Sequence, residues 1–200
     1  MTDKGELRMK KIRKGNAGYL DYKKKTEILW VIVWVVIIAG LLLAGYITTG
    51  SRENLLTILA IVCCLPAARV LVSVITRWKY HSVSEDLARE ITEKTTHLTT
   101  VFDLVLTSED KIMPVTCIVI SGDKVFGYIS DKKTDLKYTT NHIWTMLRTN
   151  GFTSVTVKLF DQYSAFLARA EGLDNIQAVE QNDTKEHEES IRRLLLNISL

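Results

Sequence analysis

Asp103, in a Val- and Phe-rich run over residues 101–107, is the residue whose type and setting come nearest to catalytic chemistry. That chemistry would be metal-assisted hydrolysis. It needs an acid on one strand and a D/E-x-K pair on the next, so that two carboxylates hold Mg²⁺ while the lysine orients or activates water. The next run, Thr116-Cys117-Ile118-Val119-Ile120, carries neither acid nor lysine. Asp131-Lys132-Lys133 lies past a third strand, where a solvated turn suits it better. Glu109-Asp110-Lys111 and Asp135-Leu136-Lys137 also fit the pattern, as expected by composition in a chain that is 24% charged. His81, His97, His142 and His187 are scattered, with no second ligand at i+3 or i+4 to make a zinc site. Cys63, Cys64 and Cys117 show no metal-ligand spacing. There is no nucleophile elbow, phosphate-binding glycine loop or dinucleotide fingerprint. Asp103 is thus the single catalytic candidate, and no cofactor or metal site is expected.

What would position such residues is dominated by two apolar runs, 28–48 and 55–75, separated by six residues. The first holds 21 residues without a charge, and a helix of that length spans about 31 Å, the thickness of a bilayer core. It is too long for the apolar part of a cleaved signal, and it lacks the polar stripe of a surface helix. The second contains Pro66 and Arg69. Arg69 lies six residues before the end of its run, close enough to snorkel to the interface, while Pro66 should kink the helix one turn earlier. Together the runs predict a transmembrane hairpin, with a re-entrant second segment as the alternative.

Residues 1–27 carry nine Lys or Arg against four acids, while the connecting loop holds only Arg52 beside Glu53. This asymmetry predicts both termini in the cytoplasm. The segment 76–200 has a net charge of −3 within a chain of +3, so the basic character belongs to the N-terminal tail. That distribution disfavours nucleic acid as a partner and predicts contact of the tail with anionic lipid headgroups. Small residues recur on both runs, Gly40 and Ala44 on the first and Ala60, Cys64 and Ala68 on the second. Such faces allow close approach, either between the two helices of the hairpin or to another chain.

Beyond the hairpin, Ser84 is a candidate N-cap for a helix with a stripe of Leu87, Ile91, Thr95 and Leu98. Strands are predicted over 101–107, 114–121 and 124–130, the last two joined by a Gly122-Asp123 turn. A helix over 135–149 presents Leu136, Thr140, Ile143, Trp144 and Leu147, and stops at Asn150-Gly151. A fourth strand over 152–160 leads to a short helix capped by Asp161 and ended by Gly172. The expected fold is an α/β (α+β) domain of order α-β-β-β-α-β-α with a mostly antiparallel four-stranded sheet. The expected organisation is a basic cytoplasmic tail (1–27), a hairpin (28–75), a cytosolic domain (76–175) and a charged tail (176–200) with a helix near 184–197.

Over residues 84–160 this order resembles the αβββαβ core of restriction-endonuclease-like folds. The resemblance is topological and implies Asp103 as the first acid of a nuclease site, although the D/E-x-K is missing where it should stand. The function expected first is therefore a non-enzymatic interaction or regulatory module held at a membrane, with a protein partner or self-association. A divergent nuclease-related domain is the second reading. A hairpin that oligomerises into a pore or serves a transporter is the third.

Overall fold

The computed structural model describes residues 12–50, 55–180 and 184–200, which divide into two compact units. One unit is Leu20–His81; the other joins the residues up to Tyr19 with Ser82–Leu200.

The first unit is a helical hairpin. α1 (Tyr19–Thr49) begins nine residues before the apolar run, so its first two turns carry Lys23, Lys24 and Lys25. α2 (Leu55–Trp78) is one continuous helix through Pro66. At about 46 and 36 Å, both are long and apolar enough to cross a bilayer. Covered residues recur at alternating spacings of three and four, the left-handed coiled-coil seam. On α1 these are Glu27, Val31, Trp34, Ile38, Leu41 and Gly45; on α2 they are Ala60, Cys63, Ala67, Val70 and Val74. Near one end of the seam, Arg77 Nη1 donates to Glu27 Oε1 at 2.5 Å and to Ser73 Oγ at 2.9 Å.

The second unit contains α3 (Glu85–Lys94), β1 (Thr99–Thr107), β2 (Ile112–Ser121), β3 (Lys124–Tyr128), α4 (Leu136–Thr149), β4 (Thr156–Phe160), α5 (Tyr163–Glu180) and α6 (Lys185–Asn197). The sheet order is β1-β2-β3-β4. β1, β2 and β3 form an antiparallel meander, whereas β4 runs parallel to β3. The sheet is therefore mixed, a correction to the expected mostly antiparallel arrangement. Its cause is α4, which carries the chain back to the starting end of β3 before β4 begins. Gly127 makes this pairing close: a Cβ there would lie 2.6 Å from Leu159 Cδ2 and 3.2 Å from the Cys117 carbonyl oxygen.

Helices cover both faces. α3 and α5 bury Ala88, Ile91, Phe166 and Ala170 against Phe102, Cys117 and Val119. α4 and α6 bury Ile143, Leu147, Ile191 and Leu195 against Val101, Leu104, Ile118, Ile120 and Val125. Two further expectations change. α5 continues through Gly172 to Glu180, because Leu173 still enters the core and Asp174 accepts the His97 N–H at 2.7 Å. The helix expected near 184–197 forms as α6 and packs on the sheet, which extends the expected order by one element; its Ile191 and Leu195 are fully buried, each worth about 1.5–3 kcal/mol of transfer free energy. Ser84 occupies the α3 N-cap position without a side-chain bond, while Asp135 caps α4 by accepting the Tyr138 N–H at 3.0 Å.

The two sheet edges are treated differently. Along β1, Phe102 N–H donates to the Gly15 carbonyl at 2.8 Å, Leu106 bridges to Ser199, and Leu200 N–H donates to the Val105 carbonyl at 2.9 Å. Lys14 Nζ donates to the Ser199 carbonyl at 2.6 Å, tying these two chain segments together. Only glycine suits position 15: φ is +89° and a Cβ would lie 2.9 Å from Leu196 Cδ2. β4, at the opposite edge, has no strand beside it among the described residues.

α6 is held by Glu188, a carboxylate with no solvent exposure. Its oxygens accept from Thr99 Oγ1 at 2.6 Å, Gly122 N–H at 2.9 Å and Thr184 Oγ1 at 2.9 Å, with Lys185 Nζ at 3.5 Å. Removing it leaves the half-buried Thr99, Gly122 and Thr184 donors without this acceptor. Glu188→Ala is expected to cost about 2–4 kcal/mol. Hydrogen exchange should show it as lost protection in α6 and at Gly122, with α3 affected least.

Candidate functional site

Asp103 is 5% exposed and takes a left-handed backbone conformation (φ 57°), uncommon for any residue but glycine. Its Oδ1 accepts the Val83 N–H at 2.8 Å, so the carboxylate fastens the segment entering α3 to the middle of β1. The kink also inverts side-chain alternation. Val101 and Leu104 both enter the α4–α6 core, as do Val115 and Ile118 on β2, while Phe102 and Cys117 enter the other. Burial and the neighbouring Asp103 charge push the Cys117 thiol well above its ordinary pKa, leaving it protonated and unreactive. Asp131-Lys132-Lys133 forms a turn closed by the Lys133 N–H on Asp131 Oδ1 at 3.0 Å. Among the described residues, no three His, Cys, Asp or Glu side chains gather into a group able to hold a metal ion.

The histidines lie apart, and three of them pair with separate acids. His97 meets Asp174 at 3.0 Å, His187 meets Asp123 at 2.9 Å, and His81 lies 3.9 Å from Asp21. His142, on α4, is half-buried, and its Nε2 is enclosed with no hydrogen-bond partner among the described residues. Burial lowers its pKa from the ordinary histidine value.

On the hairpin, Ala60 is buried, whereas Gly40, Ala44, Cys64, Ala68 and Arg69 are exposed. The covered seam uses Gly45, Cys63 and Ala67, one residue away from three of the positions expected from spacing. Glu27 and Arg77, whose pairing spans 50 residues of sequence, were not marked by any local pattern.

A groove able to receive another molecule lies along β4. The outer side of α4 and the edge strand enclose an open groove of about 920 Å³, lined by residues 135–138, Thr140, Asn141, Trp144 and Val157. α4 has two flanks, and only one faces the core. Thr139, Ile143 and Leu147 are buried, while Thr140 is half-buried and Trp144 is 37% exposed, with the Arg148 guanidinium 5.0 Å from its ring centre. At the groove's end, Tyr138 shares a hydrogen bond with Ser108 at 2.8 Å and Lys111 sits over its ring at 4.5 Å. Asp135 is held below the usual carboxylate pKa first by the Tyr138 N–H and then by Lys111, so it stays ionised and engaged as a cap. The periodicity of α4 contained this groove. It could not say which flank was covered.

The chain matches no protein family, no curated protein and no solved structure. The αβββαβ connectivity of residues 84–160 thus stands on its own geometry.

Two outcomes are expected. Ile143→Ala should destabilise the domain by about 2–4 kcal/mol, whereas Trp144→Ala, on the open flank, should change stability by less than about 1 kcal/mol; chemical denaturation of the two variants compares them. For His142, a folded pKa below the unfolded value means that the folded state binds fewer protons. Its contribution is fully present above about pH 6.5 and is lost as pH falls through that value towards the lowered one. Melting curves should therefore drop as pH falls below about 6.5, and His142→Phe should flatten the drop.

Proposed function

We propose that this chain is an integral membrane protein whose two-helix hairpin anchors the α/β domain at the cytoplasmic face, where the domain docks a protein partner in the β4–α4 groove. The observation that carries the reading is the contrast between the sheet's edges. Residues 15, 199 and 200 of the chain itself occupy the β1 edge, while the β4 edge opens into a groove with an exposed tryptophan. An open strand edge beside an apolar groove is a ready template for another chain.

The membrane part of the reading is supported by the length and apolarity of α1 and α2, and by the basic residues flanking them. It is supported further by Lys14 and Gly15, which precede α1 yet bond to the domain that follows α2. With both helices spanning, that contact requires the two flanks to lie on one side. The basic residues before the first span are then suited to anionic headgroups. Self-association of the hairpin is a second reading, favoured by the outward exposure of Gly40, Ala44, Cys64 and Ala68.

A photo-crosslinking side chain at Asn141, in the full-length membrane-embedded protein, tests the docking reading against the same group at exposed Arg169 on α5. A discrete adduct with a second protein at position 141 alone is expected. Equal labelling at both positions would overturn the reading, and an adduct at twice the chain mass would favour self-association.

A further inference from the structure

The partner's segment can be specified further, on the reading that the β4–α4 groove is a docking site. Thr156 N–H donates to the Asp123 carbonyl at 2.8 Å, and the Phe160 carbonyl accepts from Ile129 N–H at 2.9 Å. In a parallel pair the residues bonded to the neighbour alternate, so 156, 158 and 160 face β3. Val157 and Leu159 therefore direct their N–H and C=O groups outward along the open edge. Their side chains lie on the α4 face, with Leu159 in the core and Val157 in the groove wall. Lys158 projects on the opposite face, its Nζ 5.2 Å from the Phe160 ring centre.

These placements prescribe an alternating pattern for an added strand. Residues facing α4 meet Leu136, Trp144 and Val157 and need apolar side chains. Residues on the other face lie beside Lys158, where an acid is favoured and a base is not. Lys137 and Arg148, both exposed on α4, add positive charge along the same edge. Asp135 is already engaged by the Tyr138 N–H and by Lys111 at 3.7 Å, and Asp161 lies past the end of β4. The edge is thus locally basic within a segment, 76–200, that is acidic overall. A second copy of this chain is the poorer occupant. Antiparallel pairing of two β4 strands about a two-fold axis would set Lys158 beside its own copy, a like-charge pair.

We infer that β4 accepts, by strand addition, an extended segment of a partner protein in which apolar and acidic residues alternate. Main-chain bonds to Val157 and Leu159 supply the attachment, and the alternation supplies the selectivity.

The test uses the full-length chain in lipid nanodiscs and three fluorescent nine-residue peptides: alternating Val/Glu, alternating Val/Lys, and a block peptide with the Val/Glu composition. The alternating acidic peptide should bind about tenfold more tightly than either of the others, and it should slow hydrogen exchange at Val157 and Leu159. Lys158→Glu should reverse the charge preference. Val157→Pro deletes an outward N–H that the sheet itself does not use, so the domain should stay folded while binding is lost. Equal affinity for the acidic and basic alternating peptides would overturn the charge assignment. Binding by none of the three, with the Asn141 crosslink intact, would overturn strand addition while leaving the docking site standing; loss of that crosslink too would remove the docking reading. Protection of β4 without any peptide, in a dimer dissociated by Val157→Pro, would assign the edge to a second copy and overturn the inference.

Discussion

The carboxylate of Glu188 receives donors from the start of β1, the β2–β3 turn and the start of α6, and the docking of α6 on the sheet turns on that junction. A charged group without solvent exposure is tolerated only when its lone pairs are filled, and here three bonds of 2.6–2.9 Å fill them. With α6 fixed, Ile191 and Leu195 complete the core over β1 and β2, and the chain end is delivered to the outer edge of β1. One buried ion thus has a consequence at the sheet's margin. β1 is closed, and β4 is left as the edge available to another chain.

The hairpin shows a related economy of charge. Glu27 and Arg77 lie on different helices and meet at 2.5 Å, with Ser73 supplying a further acceptor to the guanidinium. Pairing lowers the cost of holding either charge next to apolar surroundings, and it sets the two helices in register at that end. Above the pair the seam keeps coiled-coil spacing, with the large Trp34 and Leu41 on α1 and the small Ala60, Cys63 and Ala67 on α2. Most of the remaining apolar surface of both helices is exposed, as lipid contact would require.

Much of the fold was legible because it is written in local patterns. Apolar runs of 21 residues announce α1 and α2; Val- and Ile-rich segments announce β1, β2 and β3; Asn150-Gly151 ends α4; Gly122-Asp123 joins β2 to β3. Other features escaped because they depend on partners distant in sequence. Gly172 reads as a helix stop, yet α5 passes through it to place Leu173 in the core and Asp174 against His97. Asp103 reads as a strand residue with catalytic potential, yet its carboxylate takes the Val83 N–H and its backbone turns the strand over. Trp144 shares a stripe with Ile143 and Leu147, but a stripe wider than the core's contact leaves one flank outside.

By itself, then, the sequence determined the kinds of element, most of their order, the basic tail and acidic domain, and the two segments able to cross a bilayer. Hydrophobic period, turn chemistry and charge act over a few neighbouring residues, so no distant partner is needed to read them. Tertiary structure alone decided the parallel setting of β4, the pairing of Glu27 with Arg77, the docking of α6 on Glu188, the covered flank of α4 and the contrast between a closed and an open sheet edge. Each of these is a choice among faces or partners that the local pattern leaves degenerate. Burial of polar groups resolves that degeneracy, because a buried donor or charge is stable only where the rest of the chain supplies its complement.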